Sequence, residues 1–209
     1  MKPVNLKQVL SIFGLLLGCH AFAASQPPNI VLFLVDDMGW QDTSVPFHSE
    51  RTPFNDHFRT PNMERLAKQG VKFTQAYAAA VCSPTRTSIM TGQNPIRHKV
   101  TNWTLNKNGE TSGKTARLQA PVNWKRNGLQ PDAITLPKLL QGAGYYTIHA
   151  GKAHWGAHDT PGSNPKNLGF DANIAGHAAG GPGGWYGKTN FGNNSDGTPK
   201  RPWGIPGLE

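Results

Sequence analysis

Cys82-Ser83-Pro84-Thr85-Arg86 places a thiol and a guanidinium four residues apart at the start of a candidate helix. Ser83 suits the N-cap, Pro84 the first helical position and Gly92 the position just past the last turn. On that reading Cys82 stands immediately before a helix whose free amides favour developing negative charge, and Arg86 adds a fixed positive charge. A thiol in such a place is activated as a nucleophile. The bland alternative is a buried small hydrophobe, since free cysteine is among the most buried residue types. The composition of the chain would produce Cys-x-Pro-x-Arg only about 0.006 times by chance, which makes the pattern a signal.

Two further groups carry chemistry. Asp36-Asp37-Met38-Gly39 follows the apolar run Asn29-Ile30-Val31-Leu32-Phe33-Leu34-Val35. Adjacent carboxylates at the end of a buried strand repel each other unless a cation or a donor compensates, and hard oxygen ligands suit calcium or magnesium. A turn or a helix cap explains the dipeptide equally well. Gly151-Lys152-Ala153-His154-Trp155-Gly156 follows a β-branched and aromatic run, Tyr145 to Ala150, and offers a cation beside a titratable ring. By itself this Lys-x-His also fits a solvated loop. The order of the three groups, each behind an expected strand, is what joins them, because functional groups collect at the carboxyl ends of strands in open α/β sheets.

Cys82 to Arg86, with the following Thr87-Ser88-Ile89-Met90-Thr91-Gly92, closely resembles the signature of the type I sulfatases of the alkaline phosphatase superfamily. The resemblance implies that a formylglycine-generating maturation enzyme oxidises Cys82 to an aldehyde whose hydrate is the nucleophile, with Arg86 stabilising it. It also implies calcium, with magnesium the lesser choice, held by Asp36, Asp37 and the nucleophile at position 82. Lys152 would contact sulfate, and His154 would lie beside the nucleophile as substrate ligand and proton acceptor. The fold implied is an α/β three-layer sandwich with a largely parallel sheet. The activity implied is hydrolysis of sulfate esters, on an aryl sulfate or a sulfated carbohydrate. A phosphonate or phosphate monoester hydrolase of the same superfamily and a non-catalytic module binding sulfated glycans are the alternatives.

The intervening elements agree with alternating strands and helices. Thr60-Pro61 can open a helix with Met63, Leu66 and Ala67 on one face, closed by Gly70, and Val71 to Ala78 then runs as a strand into Cys82. Thr135 can cap a helix carrying Leu136, Leu139, Leu140 and Ala143, with Gly144 ending it before the Tyr145 strand. Residues 102–131 are polar and read as a surface insertion of the kind that shapes substrate choice. Asn167-Leu168-Gly169-Phe170-Asp171 leads into a strand, and residues 172–209 are rich in Gly, Asn and Pro and read as loop. Trp185, Tyr186 and Trp203 could stack on sugars, although packing is the commoner role of scattered aromatics.

Lys2 and Lys7 precede an apolar stretch and Ala21-Phe22-Ala23, the pattern of an export signal over residues 1–23. Leu16-Leu17-Gly18-Cys19 offers a lipoprotein site as the alternative, with a signal over 1–18, membrane anchoring at Cys19 and otherwise a periplasmic or extracellular protein. The net charge of +9 becomes +7 without the two leader lysines, which favours polyanionic partners. The basic residues are dispersed, and no nucleic-acid-binding motif accompanies them. The resemblance runs from about Asn29 to Phe170, and the later metal-binding pair, second histidine and second lysine of the sulfatases have no counterpart before Glu209. The expectation is therefore an N-terminal part of a catalytic domain over 24–209, inactive alone, because two carboxylates fall short of the six to eight oxygens calcium prefers.

Overall fold

The computed structural model describes residues 26–110, 118–200 and 202–205; the expected export signal and Cys19 lie outside the described residues. The chain divides into two units, residues 1–39 and 40–209. In the first, Asn29–Val35 does not form the expected strand. It belongs to no sheet among the described residues, and Val31 and Phe33 are 87% and 84% exposed. A strand exists only where a neighbouring strand takes its amides and carbonyls, and nothing described within this unit does so.

Among the described residues the regular elements lie in the second unit. Helices α1 (Pro53–His57), α2 (Pro61–Gln69), α3 (Cys82–Thr91), α4 (Pro95–His98) and α5 (Leu136–Gly142) are followed by strands β1 (Ile148–Ala150) and β2 (Ala172–Ile174). The strands pair in parallel, with Ile148 opposite Ala172, His149 opposite Asn173 and Ala150 opposite Ile174. The Asp171 carboxylate closes the entry to this pair by accepting the Thr147 amide at 2.7 Å and its hydroxyl at 2.9 Å. Those bonds, the amide foremost, hold Asp171 below the usual carboxylate range.

Several expectations shift. Val71 to Ala78 is not a strand, and Val71, Phe73 and Tyr77 are 73–90% exposed for the same want of a neighbour. Only the last three residues of the Tyr145–Ala150 run pair. Thr60 precedes α2 as expected, but its hydroxyl accepts the Ser44 amide instead of capping the helix, and Leu66 is exposed. Thr135 precedes α5 but donates to the Leu168 carbonyl at 2.6 Å, and Leu139 is exposed. In both cases a tertiary hydrogen bond has taken the hydroxyl from the helix end.

The core consists of Met90, Leu129, Ala153, Trp155 and Leu168, with Ala133 and Phe170 against it. Trp155 and Phe170 stack at 5.6 Å, and the His149 ring meets Trp155 edge-on at 4.9 Å. The core therefore joins the end of α3 to both flanks of His154. Leu129 lies inside residues 102–131 and enters this core through an antiparallel bridge between Gly128 and Gly156, with the Leu129 amide donating to the Trp155 carbonyl at 2.8 Å. Gly128 is required there: its φ is +74°, and a Cβ would stand 2.0 Å from the Trp155 oxygen. The Gly-rich residues 172–200 are loop-rich yet packed, with Ala178 and Ala179 buried.

Candidate active site

Helix α3 begins two residues earlier than its sequence suggests. Val81, in extended conformation, is the N-cap; Cys82 is the first helical residue, and Gly92 ends the helix in the left-handed region at φ +65°. Ser83 is released from the capping role because its hydroxyl accepts the Thr104 amide at 3.3 Å and lies 3.4 Å from the Thr104 hydroxyl. The first turn is secured instead by Thr85, whose hydroxyl donates to the Val81 carbonyl at 3.0 Å. Cys82 is half-buried at this end of a ten-residue helix, where its own amide is among those without an intrahelical acceptor.

Arg86 lies one turn below Cys82, on the same face of α3. It is only 6% exposed, and its Nη1 donates to the Lys152 carbonyl at 2.5 Å. A buried guanidinium must be hydrogen-bonded to be tolerated, and this bond joins the cysteine helix to the Gly151–His154 turn. That turn is unusual backbone: Gly151 has φ +97° and His154, a residue with a side chain, has φ +56°. The His154 amide donates to the His177 carbonyl at 3.0 Å, which fixes the conformation. Gly180 lies over both functional side chains. A Cβ at Gly180 would stand 3.1 Å from the His154 ring and 3.7 Å from Lys152 Cε.

The structure thus brings Arg86, Lys152 and His154 together beneath Cys82's helix. Asp36 and Asp37 belong to the other unit, where both are exposed and Asp37 has φ +54°. Among the described residues no group of three or more His, Cys, Asp or Glu side chains gathers as a metal would need. Asp36 and Asp37 are hard oxygen donors of the kind calcium takes, and they supply only part of the six to eight oxygens it prefers.

One residue of this site was not singled out by its motif. His149, the inward-facing residue of β1, has its Nδ1 at 2.9 Å from Asn173 Oδ1. Asn173 Oδ1 already accepts the Gly176 amide, and Asn173 Nδ2 donates to the Gly176 carbonyl, so His149 must be the donor from Nδ1. Burial pushes the His149 pKa down; the hydrogen bonds to Asn173 and to the Lys152 carbonyl oppose this, and the Arg86 charge adds to it. The ring is neutral at neutral pH, with its one proton on Nδ1 toward Asn173. The available signal was a lone histidine between Ile148 and Ala150, at the inward phase of an alternating strand.

A helix with a cysteine at its first position, tied by Arg86 to the Lys-x-His turn that follows the first of two parallel strands, fits the alkaline-phosphatase-like α/β class. The chain belongs to the sulfatase family, whose model, described as Sulfatase, matches residues 28–198. N-acetylgalactosamine-6-sulfatase of Mus musculus is 37% identical over 164 residues, covering 78% of this chain and 27% of that protein. A sulfatase of Formosa agariphila is 32% identical over 154 residues, covering 74% of this chain and 27% of its own length. The crystal structure of Ps i-CgsB superposes with a TM-score of 0.55 at 30% identity, covering 79% of this chain and 31% of that one; it has also been solved in complex with k-i-k-neocarrahexaose. The chain spans about a quarter to a third of the length of these relatives.

Proposed function

We propose that this chain carries the nucleophile half of a sulfate-ester hydrolase, with a sulfated carbohydrate as the substrate class and Cys82, oxidised to formylglycine, as the nucleophilic position. The observation that carries the reading is the bond from Arg86 to the Lys152 carbonyl, which ties together two motifs 66 residues apart that the family uses on one sulfate group. The likeness to Ps i-CgsB, seen with a bound oligosaccharide, supports the carbohydrate class.

A hydrated aldehyde at position 82 would supply an oxygen nucleophile in place of a thiol. The chain's own residues then have separate tasks. The free amides at the start of α3 and the Arg86 guanidinium favour negative charge on that oxygen. Lys152, half-buried on the turn, neutralises sulfate oxygens. His154, held in its left-handed conformation, accepts a proton within the same small volume. Calcium would be held by Asp36 and Asp37 as far as this chain supplies ligands; no step is assigned to it.

The test is the mass of the tryptic peptide Phe73 to Arg86 from protein made in a host with a formylglycine-generating enzyme, read beside sulfate release from an aryl sulfate. Conversion of the thiol to the aldehyde, with no sulfate released by this chain alone, is the expected result. An unmodified cysteine refutes the assignment, as does sulfate release that survives in Cys82→Ala. The leader over residues 1–23 belongs to the same proposal, since an exported protein would acquire the aldehyde before or during export.

A further inference from the structure

Residues 173–177 form a turn to which the hydrolytic reading gives no task. It lies against the Gly151–His154 turn, and two backbone bonds join them: the Gly151 amide donates to the Ile174 carbonyl at 2.9 Å, and the His154 amide to the His177 carbonyl at 3.0 Å. These bonds bracket Lys152 and Ala153, so the shape of residues 174–177 sets where Lys152 and His154 stand. That shape carries strain, because Ala175 has φ +64°, a left-handed conformation that a residue with a Cβ rarely adopts. Such a conformation persists only where its surroundings over-determine it.

The over-determining group is the Asn173 side chain. Its Oδ1 accepts the Gly176 amide at 3.2 Å and its Nδ2 donates to the Gly176 carbonyl at 2.9 Å, so one carboxamide grips both polar groups of the residue after Ala175. The same Oδ1 accepts the His149 Nδ1–H at 2.9 Å, and His149 stands opposite Asn173 in the parallel pair. The turn is thereby tied to β1, the strand that leads into Gly151. The fit is close: a Cβ at Gly176 would stand 2.3 Å from Asn173 Oδ1 and 2.4 Å from His149 Nδ1. Accepting two N–H groups while donating to a carbonyl is a demand that a carboxamide meets and an ionised carboxylate does not.

We propose that Asn173 is a positioning residue for Lys152 and His154. Through Gly176 it fixes the turn whose carbonyls hold the Gly151 and His154 amides, and through His149 it fixes that turn against β1. What this contributes to catalysis rests on the sulfate-ester reading, whereas the positioning itself is a property of the fold.

The experiment follows amide hydrogen exchange and histidine ring-nitrogen resonances in the isotopically labelled full chain. The unsubstituted protein is expected to carry the His149 proton on Nδ1 at neutral pH and to exchange its His154 amide slowly. Asn173→Ala should end the preference for Nδ1 and speed exchange of the His154 and Gly151 amides about thirtyfold relative to the Gly92 amide, which is held on the Ser88 carbonyl in α3. Asn173→Asp keeps the accepting oxygen and drops only the donor to Gly176, so it should retain the Nδ1 proton and speed the same amides about fivefold relative to Gly92. A general loss of stability would speed Gly92 equally. In either variant, exchange at His154 that is unchanged, or that rises only in step with Gly92, overturns the proposal, as does a wild-type His149 protonated at Nε2. Should Asn173→Ala fail to fold, the comparison of His154 with Gly92 in Asn173→Asp decides alone. Neither readout uses turnover. An unoxidised Cys82 sinks the hydrolytic reading and leaves the positioning standing, while an unaltered His154 amide sinks the positioning and leaves the hydrolytic reading standing.

Discussion

At the scale of single residues, Arg86 couples chemistry to stability. Its guanidinium is buried on the Lys152 carbonyl, so Arg86→Ala should remove a charge-assisted hydrogen bond and leave that carbonyl short of a donor. A loss of about 2 kcal/mol is expected in urea unfolding. Arg86→Lys should recover little of it, because an ammonium cannot reproduce the planar fork that reaches across from α3. Unfolding of Arg86→Ala at the wild-type midpoint would show that the bond does not hold the two motifs together. Cys82, Arg86, Lys152 and His154 were all legible in the sequence, since each stands in a short motif whose residue types have few other uses together. His149 was not. Its importance comes from Asn173 and Lys152, whose approach is set by the parallel pairing of β1 and β2 and by the turn beyond β1.

At the scale of elements, helices were more readable than strands. The ends of α2, α3 and α5 fall within a residue or two of the Thr, Pro and Gly signals in the sequence, because capping and φ preferences act locally. What the hydroxyls of Thr60, Ser83 and Thr135 bond to was not readable, as each is taken by a segment 16 to 33 residues away. The strands expected at 29–35 and 71–78 fail for a related reason: apolar, β-branched sequence states a preference, but a strand is made by its neighbour. The bridge that brings Leu129 to Trp155 is a sharper test of packing. Gly128→Ala should be strongly destabilising, by about 3 kcal/mol or more, because it joins a left-handed φ to a backbone clash. Thermal unfolding and the near-ultraviolet circular dichroism of Trp155 would measure it, and a wild-type melting temperature would contradict the close approach.

For the molecule as a whole, two buried histidines and a half-buried one set a common dependence on pH. Burial is the first cause lowering the pKa values of His98, His149 and His177, with Lys125, Arg86 and His158 respectively adding repulsion. His98 illustrates why: the Val100 amide donates to its Nδ1, a bond that protonation would break. Below about pH 6.5 the unfolded chain binds protons that the folded chain refuses, so stability is complete above that value and falls as pH drops toward the lowered folded values. Chemical denaturation at pH 7.5 and 5.5 should show the decline, and His98→Asn with His149→Asn should flatten the slope; stability that rises on acidification would contradict the buried neutral rings. The family was determined by the sequence alone, because it rests on residue types at fixed short spacing. Helix positions were too, because they follow from local backbone preferences. Only the tertiary structure decided that Arg86 holds the Lys152 turn and that Asn173 accepts the one ring N–H of a neutral His149. Those are contacts between segments far apart in the chain, and no local preference encodes which distant group will arrive.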